Sequence, residues 1–167
     1  MQRAMKFIVT LFFSALLGAC ATAYQPIGQS GGFYHRKVEE NVYIIGFNGN
    51  GFTNNQRVND FATLRAAEIG SKLGYTHFVI EGTLDRSKTE LVDMGTTTST
   101  SGRVKENRNS TTYHATSTTT NNTYTVYKPG VEIKAVFSEG MPKGRHLEVF
   151  VVQEVIRDIK ARYEIAP

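Results

Sequence analysis

The first twenty residues constrain this chain most, because they indicate a segment that does not belong to the folded domain. Arg3 and Lys6 give the chain a short positive start, and residues 7–17 are apolar apart from two hydroxyl side chains. A helix that crosses a bilayer needs roughly 20 apolar residues, so this run is too short for a membrane anchor. A positive start before a short apolar run is typical of a secretion signal. The sequence therefore predicts export, with residues 1–19 as the signal peptide.

The apolar run ends in Leu17, Gly18, Ala19 and Cys20, and Cys20 is the only cysteine of the chain. A single cysteine excludes an internal disulfide. Its position resembles the lipobox of a bacterial lipoprotein. The resemblance implies a diacylglyceryl thioether on Cys20, cleavage before it, and acylation of the new amino terminus by a fatty acid such as palmitate. The alternative is an ordinary signal peptide followed by a buried free cysteine.

Composition limits the classes of function for the remainder. The chain has 167 residues, so about 150 remain after the signal, which is enough for one domain with a modest core. The formal net charge of +4 falls by two when Arg3 and Lys6 leave. A small positive charge spread along the chain is not the basic patch of a nucleic-acid-binding protein. Acyl chains bury methylenes at about 0.8 kcal/mol each, so lipid alone would hold the protein on a membrane.

Residues 20–34 are mostly small, polar or glycine, with the bulky group Tyr24-Gln25-Pro26 as the main exception before residue 33. Such a segment buries too little apolar surface to offset the entropy lost on ordering. We therefore expect a lipidated flexible tether over residues 20–34, followed by a single domain over residues 35–167.

Val38–Phe47 carries apolar side chains on both faces, which predicts a strand in the middle of a sheet. It is followed by the turn Asn48, Gly49, Asn50 and Gly51, whose residue types tolerate positive φ. One interpretation is a sharp turn from strand into helix. The other is a backbone cradle for a bound anion, because glycine-rich turns before helix N-termini can bind phosphate. The chain lacks the Lys-Ser/Thr pair of a P-loop and the third glycine of a dinucleotide fingerprint.

The next segment predicts a helix followed by a strand. Thr53 and Gln56 have capping-box spacing, which places the start of the helix at Thr53. Gly74 ends it after Leu73, as glycine commonly does. Residues 75–84 then alternate as a strand, so the segment predicts a strand–helix–strand unit with the helix over one sheet face.

Several motifs of this unit resemble a known family. They are Cys20 with Tyr24-Gln25-Pro26, then Phe47-Asn48-Gly49-Asn50-Gly51-Phe52, Arg57-Val58, Leu64-Arg65-Ala66-Ala67-Glu68 and Gly74-Tyr75. Together they resemble the Caulobacter-type family of small uncharacterised bacterial lipoproteins, over residues 20–82. The resemblance implies a location and a fold. It implies no activity, cofactor or catalytic residue.

Residues 95–125 are dominated by threonine, serine and asparagine. Threonine favours strands, so one interpretation is a long hairpin arm that turns near residues 101–109. The other is a disordered loop, because almost nothing in the segment can be buried. Arg103, Lys105 and Arg108 near the tip of such an arm are candidate contacts for an acidic partner surface, while its free strand edges could pair with the partner.

The carboxy-terminal part completes the predicted fold. Residues 131–137 alternate as a half-buried strand. His146–Tyr163 predicts a helix by its 3-4 spacing, although residues 147–152 could instead extend as a strand. The predicted fold class is α+β, with two layers: a small mixed β-sheet with two helices on one face, plus the Thr/Ser-rich hairpin arm or disordered loop. The predicted core is Val42, Ile44, Phe47, Phe61, Ala66, Ile69, Phe78, Ile80, Ile133, Phe137, Val152 and Ile156.

No pattern predicts catalytic or metal chemistry. The histidines lie in unrelated segments without metal-ligand spacing, and no serine lies in a Gly-x-Ser-x-Gly elbow. The histidines are His35, His77, His114 and His146. We therefore expect no enzyme activity, no metal and no cofactor. A hydrolase whose triad assembles from distant residues is the weakest alternative.

The sequence thus predicts a lipid-anchored lipoprotein of the bacterial cell envelope, acting as a non-catalytic structural or binding module or as an accessory subunit of an outer-membrane assembly. By resemblance to signals with Ala21 after the cysteine, we expect the protein on the outer membrane, facing the periplasm. The alternative is a periplasmic ligand-binding or envelope-sensing lipoprotein that uses the turn at residues 48–51. In either case its partners are the membrane and an envelope protein, with no nucleic acid.

Overall fold

The computed structural model describes residues 20–108, 110–142 and 148–166. The predicted signal, with Leu17, Gly18 and Ala19, lies outside them, as does His146 at the predicted start of the last helix. In chain order the elements are β1 (Gly32–Glu39), β2 (Val42–Asn48), α1 (Asn55–Leu73), β3 (His77–Asp85), β4 (Lys88–Asn107), β5 (Ser110–Lys128), β6 (Gly130–Ser138), β7 (Val149–Val151) and α2 (Val152–Arg162).

Five strands form one sheet in the order β1-β2-β6-β3-β7. Both β2 and β3 pair antiparallel with β6, so they run parallel to each other with β6 between them. The predicted strand–helix–strand unit is therefore present, but it is split by a strand from the carboxy-terminal half. The α+β class is confirmed. The sheet differs from the mixed sheet we expected, because each described pairing is antiparallel.

The two helices and one sheet face enclose a single apolar core, as predicted. Tyr43, Ile45 and Phe47 of β2 point into it. Gly70 of α1 allows the helix to lie close to the sheet, because a Cβ there would be 2.9 Å from the ring of Phe137. Close packing of this kind leaves no room for an added methyl group without movement of a neighbour.

Most of the predicted core is buried. The exceptions are Ile44, Ile80 and Ile156, which are only partly buried. The predicted core included Ile44 and omitted Ile45, whose side chain is fully buried. Successive side chains of a strand point to opposite faces. Because β2 is apolar on both faces, its sequence did not show which face the helices cover.

Three predicted element boundaries are wrong. The strand expected over Val38–Phe47 begins too early, because it includes the end of β1 and the turn before β2, which starts at Val42. The N-cap of α1 is Asn54, whose side chain accepts the N–H of Arg57 at 2.8 Å. Residues 149–151 form strand β7 on the edge of β3 before α2 begins.

Residues 20–34 do not form the separate tether that their composition suggests. Gly32 begins β1, and Thr22 is only 2 % exposed. The ring of Tyr24 lies 4.8 Å from that of Phe33 and 5.3 Å from that of Phe61. A few well-placed side chains fasten a segment whose average composition is too polar to predict burial.

The Thr/Ser-rich segment is ordered as a hairpin, which confirms that interpretation over a disordered loop. Thr89–Val126 forms a compact unit of its own, distinct from the α+β domain. It consists of a two-stranded sheet of β4 and β5. At about 3.3 Å per residue, each strand is roughly 60 Å long.

Candidate functional site

The exposed Cys20 lies beside the turn at residues 48–51. The side-chain amide of Asn50 donates a hydrogen bond of 2.8 Å to the carbonyl oxygen of Cys20. The predicted lipidation residue and the predicted ligand turn are therefore neighbours in space. No spacing in the sequence predicts this pairing.

Thr22 and Thr53 are both buried and bind the start of the described chain to this turn. The backbone N–H of Thr22 donates to Oγ1 of Thr53 at 2.9 Å. Oγ1 of Thr22 accepts the N–H of Asn50 at 2.8 Å and donates to the carbonyl oxygen of Ser30 at 2.8 Å. We call Cys20, Thr22, Asn50 and Thr53 the N-terminal clasp.

The turn uses its own backbone amides internally. The N–H of Gly49 donates to the carbonyl of Pro129 at 2.7 Å, and the N–H of Thr53 donates to that of Asn50 at 3.1 Å. The N–H of Phe52 donates to Oδ1 of Asn50 at 3.0 Å. With the N–H of Asn50 taken by Thr22, these amides are not available to a bound anion. The geometry therefore favours the structural turn over the phosphate cradle.

The glycines of the turn also serve a different purpose from the one expected. Neither Gly49 nor Gly51 is among the described glycines with positive φ. A Cβ at Gly49 would lie 2.8 Å from Cβ of Thr53. Gly49 is therefore needed for the close approach of the backbone to Thr53.

A second attachment lies two residues after Thr22. The hydroxyl of Tyr24 donates to Oε2 of Glu68 at 2.6 Å, and Arg65 pairs with the same oxygen at 3.1 Å. Burial raises the pKa of Tyr24 well above its usual value, and the hydrogen bond to Glu68 raises it further. The hydroxyl therefore stays protonated and keeps donating. Cys20 is thus followed by two fixed points rather than by free chain.

A groove of about 290 Å³ runs along this attached segment. Arg57 lines the groove, and its guanidinium carbon lies 5.0 Å from the ring centroid of Tyr163 and 5.6 Å from that of Phe61. Cation–π contacts of this kind hold an arginine without neutralising it. The remaining lining residues are Ala21, Thr22, Ala23, Tyr24 and Ile165.

Asp60 ties the two helices together beneath this groove. Its Oδ2 accepts from Arg162 at 2.8 Å and from the hydroxyl of Tyr163 at 2.7 Å. Its Oδ1 accepts the side-chain amide of Gln56 at 2.9 Å. Burial, and then the bond to Asp60, raises the pKa of Tyr163 to about 12. Both oxygens of the Asp60 carboxylate therefore accept hydrogen bonds within the domain.

A more polar cavity of about 190 Å³ lies where α1 begins and where β3 ends. It is lined in part by Asp85, Ser87, Tyr127, Asn55 and Asn59. The hydroxyl of Tyr127 donates to Oγ of Ser87 at 2.8 Å, and Oδ1 of Asp85 accepts the N–H of Ser87 at 2.7 Å. Hydrogen bonds from Ser87 lower the pKa of Asp85. Among the residues that the structure describes, no histidine is a hydrogen-bond partner of Ser87, so these residues do not form the Ser-His pair of an activated nucleophile.

The hairpin carries the candidate partner residues Arg103, Lys105 and Arg108, all exposed. Arg103 and Lys105 belong to the end of β4, and Arg108 lies between the two strands. The turn is therefore within the range that the sequence predicts. These three residues belong to the hairpin unit, whereas the clasp belongs to the α+β unit.

Side chains of the hairpin bond to each other across the two strands. The hydroxyls of Thr98 and Thr119 lie 3.1 Å apart, and those of Thr100 and Ser117 lie 2.9 Å apart. The ring of Tyr113 covers Gly102, where an added Cβ would lie 2.5 Å from its hydroxyl oxygen. Such cross-strand pairs are what stabilises a ribbon that has no core.

Within residues 20–108, 110–142 and 148–166, no three of the metal-ligating side chains His, Cys, Asp and Glu are grouped to hold a metal ion. His35, His77 and His114 are divided among β1, β3 and β5, and His146 is outside the described residues. Neither described helix is long and apolar enough to cross a membrane.

Comparison with known protein families, with curated proteins and with solved structures gave no match.

Proposed function

We propose that this protein is a lipid-anchored module of the bacterial envelope that binds a partner protein through the hairpin of β4 and β5. It has a non-catalytic role, as a structural or binding module or an accessory subunit of an outer-membrane assembly. Lipid on Cys20 holds it at the periplasmic face of the outer membrane. The lipobox and the motifs shared with the Caulobacter-type lipoprotein family support the location.

The exposure of the hairpin is the observation that carries this proposal. Every side chain of β5 from Ser110 to Thr125 is exposed, and Leu91, Met94 and Val104 of β4 are exposed as well. A two-stranded hairpin alone is at best marginally stable in water. Proteins usually shield free strand edges or use them to pair with another chain. Residues 89–126 contain no proline that would block such pairing.

The charge at the tip of the hairpin indicates the surface that it meets. Arg103, Lys105 and Arg108 place three positive charges within six residues, with Glu106 as the only carboxylate among them. Complementary charge directs encounter and fixes register more than it adds affinity. The partner is therefore a protein with a free strand edge next to an acidic patch.

Photo-crosslinking in living cells tests this function. Crosslinkers replace Thr98, Thr112 or Thr118 on the hairpin, and Lys72 at the exposed end of α1 as the control. We expect one discrete envelope protein at all three hairpin positions and none at Lys72. Equal adducts at Lys72, or no protein adduct at any hairpin position, would contradict partner binding through the hairpin.

Charge reversal tests the role of the tip. Arg103→Glu, Lys105→Glu and Arg108→Glu are combined in one variant and should reduce the crosslinked adduct at least several-fold. A matched variant reverses three exposed charges of the α+β domain, Lys37, Lys72 and Arg157, and should leave the adduct unchanged. If the two variants behave alike, recognition does not depend on the tip.

A periplasmic ligand-binding or sensing role is the second candidate, and one observation favours it. The cavity at Asp85 and Ser87 offers an exposed carboxylate, while Asn55 and Asn59 add amide groups. Those groups suit a small polar or cationic molecule. A thermal-shift screen of small polar and cationic molecules, run on the unaltered protein and on Asp85→Asn, tests this role. A compound that stabilises the unaltered protein and not Asp85→Asn would place the ligand site in this cavity and not at the turn of residues 48–51.

A further inference from the structure

We infer that the surface around Cys20 lies directly on the bilayer, with the ring of Phe52 inserted among lipid acyl chains and Arg57 at the level of the lipid phosphates. This inference rests on the proposed lipidation of Cys20. It goes beyond anchoring, because a lipid anchor alone does not decide which face of a domain meets the membrane.

The clasp brings Phe52 close to the acylated residue. The carbonyl of Cys20 is bonded to the side chain of Asn50, and the same side chain accepts the N–H of Phe52 at 3.0 Å. Two residues of extended chain span at most about 7 Å, so Phe52 cannot lie farther than that from Asn50. Acyl chains attached at Cys20 enter the bilayer, and therefore Phe52 is held at the membrane surface.

Phe52 is also the one large apolar side chain that this turn exposes to water. Phe52 is 76 % exposed, and it is the only exposed phenylalanine in the described part of the chain. It packs against no ring of the aromatic cluster formed by Tyr24, Phe33 and Phe61. Transfer of an exposed aromatic ring into lipid removes apolar surface from water. Nothing else described on this turn would cover the ring.

Arg57 supplies a charge that suits lipid headgroups. It lines the groove beside residues 21–24 and is half-buried over two aromatic rings. It forms no ion pair with a carboxylate of the described residues. Asp60, one turn along the helix, is already bonded to Arg162 and Tyr163. A guanidinium in this state has donors free for a phosphate oxygen.

The charge around Arg57 does not oppose an anionic membrane. The first turn of α1 contains no acidic residue. The exposed neighbours of Phe52, which are Gly51, Asn54, Asn55 and Gln56, are uncharged. Over residues 48–57 Arg57 is the one charged residue, and this stretch of neutral polar groups with one exposed ring matches the composition of an interfacial surface.

The chain contains no tryptophan, so one substitution creates a unique fluorescent probe. The full-length lipidated Phe52→Trp protein is reconstituted in vesicles of phosphatidylethanolamine and phosphatidylglycerol, with and without brominated acyl chains. We expect a blue-shifted emission that brominated lipid quenches strongly. The control is Leu73→Trp at the other end of α1, about 27 Å away at 1.5 Å per residue. Its emission should stay red-shifted and unquenched.

The outcomes separate this inference from the proposed function. If fatty-acid label is absent from the Phe52→Trp protein and it does not float with vesicles, both are overturned. If the protein is labelled and floats but its indole is no better quenched than that of Leu73→Trp, the inference is overturned and lipid anchoring stands.

Arg57→Met in the Phe52→Trp background tests the second half of the inference, because methionine keeps an apolar contact with the rings and removes the donors. We expect quenching to fall at least two-fold in vesicles that contain phosphatidylglycerol. Arg157→Met, on the exposed face of α2, is the matched control and should leave quenching unchanged. Equal quenching in the two variants would remove Arg57 from the membrane face.

Discussion

The side-chain amide of Asn50 holds the carbonyl oxygen of Cys20 at 2.8 Å, thirty residues away along the chain. Two sites suggested by the sequence, the lipidation residue and the glycine-rich turn, therefore meet in the N-terminal clasp. The turn binds the start of the described chain instead of a ligand.

Removal of the clasp should loosen the amino terminus. In Thr22→Val the partly buried N–H of Asn50 loses its closest acceptor, and we expect the free energy of unfolding to fall by about 1–3 kcal/mol. Urea denaturation measures the loss. Hydrogen exchange of residues 21–24 should become faster in the same variant.

Asn54→Ala is the control for the clasp, because it removes only the N-cap of α1, at a cost of about 1 kcal/mol. Exchange at residues 21–24 should not change in this variant. Faster exchange there in both variants would show that the segment depends on α1 and not on the clasp.

Replacement of Cys20 by serine should abolish lipidation and leave an uncleaved precursor. The thioether requires the thiolate, and cleavage by the signal peptidase follows its formation. Metabolic labelling with a fatty acid, followed by gel analysis, measures both effects. Ala21→Ser is the neighbouring control and should remain labelled. Label retained on the Cys20→Ser protein would place the lipid elsewhere.

Phe78 should be among the largest contributors to stability. Its side chain is fully buried and its ring stacks on that of Phe150 at 5.1 Å. Truncation to alanine leaves a cavity and should cost about 3–5 kcal/mol. Leu91→Ala, at a position 77 % exposed, should stay within about 0.5 kcal/mol. Similar losses in both variants would contradict the burial pattern.

Deletion of the hairpin should leave the α+β domain folded. Residues 90–125 are replaced by a short Gly-Ser link, which removes no residue of the core cluster. Thermal unfolding should occur at nearly the same temperature. A drop of many degrees would show that the ribbon belongs to the fold of the domain.

Tyr163 should make stability fall at alkaline pH. Its pKa is about 12 in the folded protein against 10.0 ordinarily. The folded state therefore keeps a proton that the unfolded state loses, so the contribution of Tyr163 is complete below pH 10.0 and is lost as pH rises toward 12. Tyr163→Phe should flatten this part of the stability curve and remove one late step from the tyrosinate absorbance titration. If the step that disappears lies near the ordinary pKa of tyrosine instead of near pH 12, the bond to Asp60 is contradicted.

The sequence predicted features that depend on local patterns. Gly74 ends α1 with φ of 85°, and the alternation of residues 131–137 became β6, with Ile133 and Phe137 in the core. It did not predict features that depend on pairs far apart. Thr22 and Thr53 are separated by 31 positions, and each looks like an ordinary surface threonine until the two are brought together.

The order of the strands shows the same limit. β6 lies between β2 and β3, although the chain joins those two directly through α1. Local reading of a strand–helix–strand segment places its strands side by side, because adjacent elements in sequence are usually neighbours in space. The inserted strand β6 comes after the hairpin in the chain. Nothing in the sequence of β2, α1 and β3 indicates that another strand lies between β2 and β3.

The insertion of β6 also determines when this protein can fold. During synthesis β2, α1 and β3 emerge first, but the central position of their sheet stays empty until residue 138 has followed. Contacts of such long sequence separation form late, because loop closure must precede them. A chain of this topology therefore stays open through most of its synthesis and closes only after β6 has emerged. A hairpin of forty-odd residues just before the closing strand lengthens that delay, so its removal should make refolding faster even where it leaves the stability unchanged.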